Sequence, residues 1–171
     1  MRRFAIVATA SSCGKTTLGR ELARRLDVPF VELDALHHGP NWTEVTAEDF
    51  RAEVEPIVAG EAWVIDGGYW AKLGDLVLRN ADVVVWLDLP VRVWLPRLIR
   101  RTVARVVRRE ELWNSNRESV RNVFFSRNSL IWYALRNHPR HRRLYPERLA
   151  PYNVVRLRSQ KEVAQWLARF G

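Results

Sequence analysis

The chain has 171 residues, of which 47% are hydrophobic, enough for one compact domain with a proper core and too few for two. Its formal charge of +9 rests on twenty-five arginines and only three lysines, and the stretch from Arg92 to Arg148 alone holds fifteen arginines against four glutamates. The lone cysteine, Cys13, excludes an internal disulfide and fits a reducing compartment, and no run reaches the ~18 apolar residues of a membrane span, so a cytoplasmic protein without a membrane partner is expected.

Phe4 to Val7 reads as the first strand. Met1-Arg2-Arg3 ahead of it has the look of a secretory leader, but the apolar length is minimal and runs straight into Lys15 and a helical pattern, which argues for retention in the domain. The run Thr9-Ala10-Ser11-Ser12-Cys13-Gly14-Lys15-Thr16 then follows the pattern of a phosphate-cradling loop, with Thr9 at the first glycine position. Such a loop turns backbone N–H groups around a polyphosphate and adds the positive end of the next helix dipole. Ala10 to Thr17 are the expected nucleotide contacts, Lys15 the point charge on the phosphates and Thr16 a hydroxyl ligand for Mg²⁺. A β-branched residue at position 9 resists positive φ, so an altered start to the loop is expected.

Lys15 to Leu26 reads as the first helix, Pro29 to Leu33 as a second strand ending at Asp34, and Thr46 as the cap of a helix reaching about Val58. Ala62 to Ile65 is a third strand ending at Asp66-Gly67-Gly68, and Val83 to Leu87 a fourth of the kind buried on both faces of a parallel sheet. An arginine-rich helix follows, with Pro96 placed in its first turn. Glu118 to Arg136 reads as helix, Pro139 to Pro151 as an irregular basic segment, and Asn153 to Leu157 as the fifth strand. Ser159 to Glu162 is a capping box that opens the last helix.

Strands alternating with helices imply an α/β domain, a five-stranded parallel sheet with helices on both faces, whose ligands lie at the carboxyl ends of the strands. That rule selects Asp34 and Asp66 as substrate or metal residues beside the loop, with Asp66 a second Mg²⁺ ligand, while Asp88 reads as a local cap. His37 and His38 lack a third nearby ligand for zinc, and His138 and His141 read as surface residues. In the basic block Arg97, Arg101, Arg105 and Arg108 share one helical stripe, opposite Leu95, Ile99, Val103 and Val106. Arginine forks suit phosphate, whether on one nucleotide or along a nucleic-acid backbone.

Gly14-Lys15-Thr16-Thr17-Leu18, Leu33-Asp34-Ala35-Leu36 with Pro40-Asn41-Trp42, Trp63-Val64-Ile65-Asp66-Gly67 with Tyr69, and Trp86-Leu87-Asp88-Leu89-Pro90 come in an order that resembles the P-loop nucleoside and nucleotide kinases. Together with Arg100-Arg101, Trp113-Asn114 and Asn116-Arg117-Glu118 they look most like the adenylate-kinase-related topology modulation proteins. The resemblance implies a nucleoside-monophosphate-kinase-like fold over residues 1–171, an arginine-rich helical lid over 97–137, ATP and Mg²⁺ as cofactors, and phosphoryl transfer to a small-molecule or nucleotide acceptor. It implies Lys15, Asp34, Asp66, Arg101 and Arg105 as catalytic residues and puts Leu157 to Lys161 near the adenine. The acceptor-side Gly-Phe-Pro-Arg pattern of adenylate kinases is replaced after Asp66 by Gly67-Gly68-Tyr69-Trp70. The rival functions are a nucleotide-gated regulator that binds nucleic acid and an NTPase without an acceptor.

Overall fold

The computed structural model describes residues 1–40, 43–108 and 130–171. Asn41, Trp42, the motif residues Trp113 to Glu118, most of the expected lid, and the side chains of Val106 and Arg108 lie outside the described residues.

Five strands, β1 (Arg3–Ala8), β2 (Phe30–Glu32), β3 (Trp63–Asp66), β4 (Val83–Leu87) and β5 (Val154–Leu157), form one parallel sheet in the order β2-β3-β1-β4-β5. β3 and β4 are buried at every position and β1 at its four inner ones, so continuous apolar runs sit where both faces are covered. Alternation along β1 splits the core. Phe4 and Ile6 join Leu22, Trp94 and Trp166 on one face, and Ala5 and Val7 join Phe50, Trp63 and Trp86 on the other.

The helices are α1 (Lys15–Leu26), α2 (Leu33–His37), α3 (Ala47–Val58), α4 (Trp70–Leu73), α5 (Leu76–Asn80), α6 (Val91–Arg108), α7 (Leu130–Leu149) and α8 (Gln160–Leu167). Two caps form as expected: Thr46 Oγ1 accepts from the Asp49 N–H, and Ser159 Oγ from the Glu162 N–H. Glu162 in turn accepts from the Ser159 hydroxyl and from the Arg158 N–H just before the cap.

Three expectations are corrected. Pro96 lies beyond the first turn of α6, which starts at Val91. The buried stripe of that helix is Trp94, Leu98 and Thr102, while Ile99, Val103 and Val107 are 39%, 45% and 76% exposed. Burying the Trp94 indole turns the helix about one residue, roughly 100°, from the expected face. The largest departure is α7, which runs as helix through Pro139 and Pro146 where an irregular segment was expected. Both prolines are exposed, and the inward stripe Ala134, His138, Tyr145 and Leu149 is buried, so tertiary anchoring outweighs proline's local cost.

Candidate functional site at the carboxyl edge of the sheet

Residues 9–14 leave β1 and wrap back to the start of α1. Positive φ occurs in this loop at Ser12 (60°) and Gly14 (91°), whereas Thr9 keeps the ordinary backbone sign. Thr9 is fully buried, and its N–H and Oγ1 both donate to the Leu87 carbonyl, at 3.2 and 3.4 Å. A β-branched residue at the first motif position is therefore accommodated without strain at its own φ. Gly14 caps α1 with no side-chain hydrogen bond, so the first N–H groups of the helix have no side-chain acceptor there. Cys13 turns its thiol into the core at 2% exposure and offers the loop only its backbone. Ser12 Oγ is enclosed without a hydrogen-bond partner among the described residues.

Asp66, the last residue of β3, is reached from two sides. Thr16 Oγ1 donates to its Oδ2 at 2.7 Å, and Lys15 Nζ lies 3.4 Å from its Oδ1. Burial opposes the Lys15 charge, but Asp66 and Asp34 outweigh it and hold the ammonium above its ordinary pKa. Burial pushes the Asp66 carboxyl up, with Lys15 and Thr16 holding it partway down. Hydroxyl and carboxylate oxygen side by side form a hard-oxygen set that suits Mg²⁺, to be completed by water and phosphate oxygens. No group of three His, Cys, Asp or Glu able to hold a metal ion occurs among the described residues.

Asp34 stands at the start of α2, directly after β2. Tyr69 OH donates to its Oδ1 at 2.6 Å. Behind them His37, 4% exposed, packs on the Tyr69 ring at 4.4 Å between centroids, and its Nε2 lies 3.5 Å from Glu44 Oε2. Burial lowers the His37 pKa, so the ring is a neutral wall at pH 7.

A cleft of about 140 Å³ brings Thr9, Ala10, Ser11 and Lys15 together with Asp34, Gly67 and Gly68. Its far wall is α7, through Tyr133, Asn137, His141 and Tyr145. Those four were missed from the sequence, although their spacing of four is the signature of one helix face. His138 and His141, expected at the surface, instead meet backbone carbonyls: His138 Nε2 lies 3.4 Å from Leu89 O and His141 Nδ1 3.0 Å from Thr9 O. Tyr145 OH donates to Ala8 O at 3.2 Å. Asp88, read as a cap, is a buried anchor whose carboxylate takes Arg142 Nε at 2.9 Å and an Arg156 guanidinium nitrogen at 2.5 Å. Arg101 and Arg105, on the second half of α6, are partly buried and are not among the residues lining the cleft.

The sheet order and this edge can be compared with solved structures. Shikimate kinase from Acinetobacter baumannii, in complex with shikimate, superposes with TM-score 0.61 at 19% identity over 99% of this chain and 90% of that one. A gluconokinase from Sinorhizobium meliloti does so with TM-score 0.56 at 19% identity over 98% and 92%. Deoxyadenosine kinase from M. mycoides with bound dCTP gives TM-score 0.56 at 9% identity over 98% and 97%.

The chain has the P-loop kinase fold.

A sequence profile of the shikimate kinase family also matches residues 11–55, the stretch of this kinase fold that holds Lys15, Thr16 and Asp34. No curated protein matches the chain. No described helix of this kinase-fold protein is long and apolar enough to cross a membrane.

Proposed function

We propose that the protein is a kinase that uses ATP and Mg²⁺ to phosphorylate a small-molecule acceptor. The observation that carries this reading is one cleft lined by both Lys15 and Asp34, with Asp66 3.4 Å from the Lys15 ammonium. The loop N–H groups and the start of α1 would bind the phosphates, and Lys15 would place positive charge on the β and γ oxygens. Thr16 would hold Mg²⁺ directly and Asp66 through water, and the ion would neutralise charge developing between the β and γ phosphates. The acceptor oxygen forms its bond to the γ phosphorus as the bond to the bridging oxygen breaks. The acceptor's proton passes to Asp34, and ADP leaves. Arg101 and Arg105 would serve only in a closed form that brings them to the transferring group. The finer likeness to topology modulation proteins rests on the motifs alone.

The test is γ-labelled ATP with Mg²⁺ and a panel of sugars, polyols, sugar acids, nucleosides and nucleoside monophosphates, with Lys15→Ala as control. Labelled acceptor is expected, with turnover at least ~10²-fold lower in the control, as for loss of an electrostatic contact to the transition state. Inorganic phosphate as the sole product would favour an NTPase. Arg136, Arg140 and Arg143 form an exposed stripe on α7 with no acidic partner among the described residues, which keeps polyanion binding as a second reading. Duplex binding by that stripe would weaken with salt at a slope of about −0.9 per neutralised phosphate.

A further inference from the structure

Tyr69 stands outside ordinary behaviour in both its backbone and its side chain. Its φ of 22° and ψ of 40° are costly for an aromatic residue, and such strain persists only where the surroundings over-determine it. The surroundings do so. Gly67, two residues earlier, turns at φ 137° with its α-carbon face against Leu33, where a Cβ would come within 2.9 Å. The Tyr69 ring is held by His37 at 4.4 Å and edge-on by Phe50 at 5.1 Å. A phenylalanine would satisfy all of that packing. The hydroxyl does something else: it reaches Asp34 across thirty-five positions of sequence at 2.6 Å.

We propose that Tyr69 is a positioning residue for phosphoryl transfer, fixing the Asp34 carboxylate with Oδ1 occupied and Oδ2 turned to an acceptor that brings a hydroxyl proton. The proposal rests on the kinase reading above. Asp34 lines the cleft, and its Oδ2 has no hydrogen bond among the described residues. The direction of the Tyr69 bond is fixed, because burial and the neighbouring Asp34 push the phenol's pKa well above its ordinary value and keep it a donor. An ionised carboxylate can only accept, and with Tyr69 on Oδ1 the unengaged Oδ2 keeps its full capacity for a donor on the substrate. An alcohol O–H supplies the missing donor, whereas a phosphate acceptor, largely dianionic at pH 7, brings no such proton and is repelled. Water is the smallest hydroxyl acceptor, so ATP hydrolysis would report on the same geometry without an identified substrate.

The experiment is a double-mutant cycle on ATP hydrolysis with Mg²⁺, using wild type, Tyr69→Phe, Asp34→Asn and the double variant, each checked by thermal unfolding. Tyr69→Phe keeps the ring contacts. It is expected to lower kcat about tenfold with KM for ATP unchanged, and to cost little further in the Asp34→Asn background. Losses that multiply, a rise in KM for ATP, or a Tyr69→Phe rate equal to wild type would each overturn the positioning role. In the acceptor panel, Asp34-dependent labelling of a nucleoside monophosphate on its phosphate would overturn the hydroxyl assignment. A wild-type protein with no Lys15-dependent turnover would instead remove the kinase reading, and this role with it.

Discussion

Replacing Asp88 by alanine tests whether α7 and β5 are locked to the end of β4 by a single carboxylate. The Asp88 side chain is fully buried and meets two guanidinium groups, Arg142 at 2.9 Å and Arg156 at 2.5 Å. Removing one partner of a buried pair costs about 3–5 kcal/mol, because the remaining charge is left without compensation. The arginines differ in how well they escape that fate. Arg142 is 47% exposed and can rehydrate; Arg156 is 29% exposed and lies over the Trp86 ring at 4.1 Å, which confines it. The expected loss is therefore at the lower end, about 3 kcal/mol, or a fall in Tm of roughly 6–12 °C for a chain of this size. Thermal and urea unfolding followed by circular dichroism measure it. An unchanged urea m-value would show that stability and not denatured-state compactness has moved. Asp88→Asn should fall between the two, and a cycle with Arg156→Ala should show coupling above about 1 kcal/mol. A Tm within about 2 °C of wild type for Asp88→Ala would refute the reasoning, leaving the anchor to the apolar contacts of α7.

Thr9→Gly restores the glycine of the common phosphate-loop pattern. Because Thr9 is buried, unstrained in φ and bonded to Leu87 O, the glycine should cost about 1–2 kcal/mol in chemical denaturation through chain entropy and a lost methyl. ATP affinity measured by titration should not improve; tighter binding would contradict the account of the loop. Asp82 accepts from the Arg2 and Arg3 N–H groups and from the Arg3 guanidinium, contacts that hold its pKa down to about 2 despite some burial. Its contribution is fully present above the unfolded value near 4 and is lost as pH falls through about 2. With solvent screening it is worth about 1 kcal/mol. Asp82→Asn should lose that much at pH 7 and show a flatter stability curve between pH 5 and 2; parallel curves would exclude the clamp.

Much of this edge could be read directly from residues. β4 coincides with its apolar run, and α1 begins and ends where Lys15 and Leu26 suggested, because strand and helix periods there are reinforced by burial on the expected faces. Asp34 and Asp66 were legible from a rule of parallel sheets that needs only strand ends. α7 was not, because Pro139 and Pro146 are strong local breakers, and what overrides them is contact with Ala8, Thr9, Asp88 and Leu89, more than forty positions away. For the same reason His138 and His141 looked like surface residues. Tyr69 was quoted only as part of a motif. Its role depends on a left-handed backbone and a partner on α2, thirty-five positions away, neither of which composition reveals.

The phosphate loop is synthesised well before the elements that support it. β1 takes β3 and β4 as its sheet neighbours, the carbonyls of Ala8 and Thr9 find Tyr145 and His141 on α7, and β5 brings Arg156 to Asp88. A chain emerging from the ribosome therefore carries the motif for well over a hundred residues before the side chains that brace it exist. Such a topology has many long-range contacts and closes slowly. A product cut short before α7 thus carries the motif without the side chains that brace its first carbonyls.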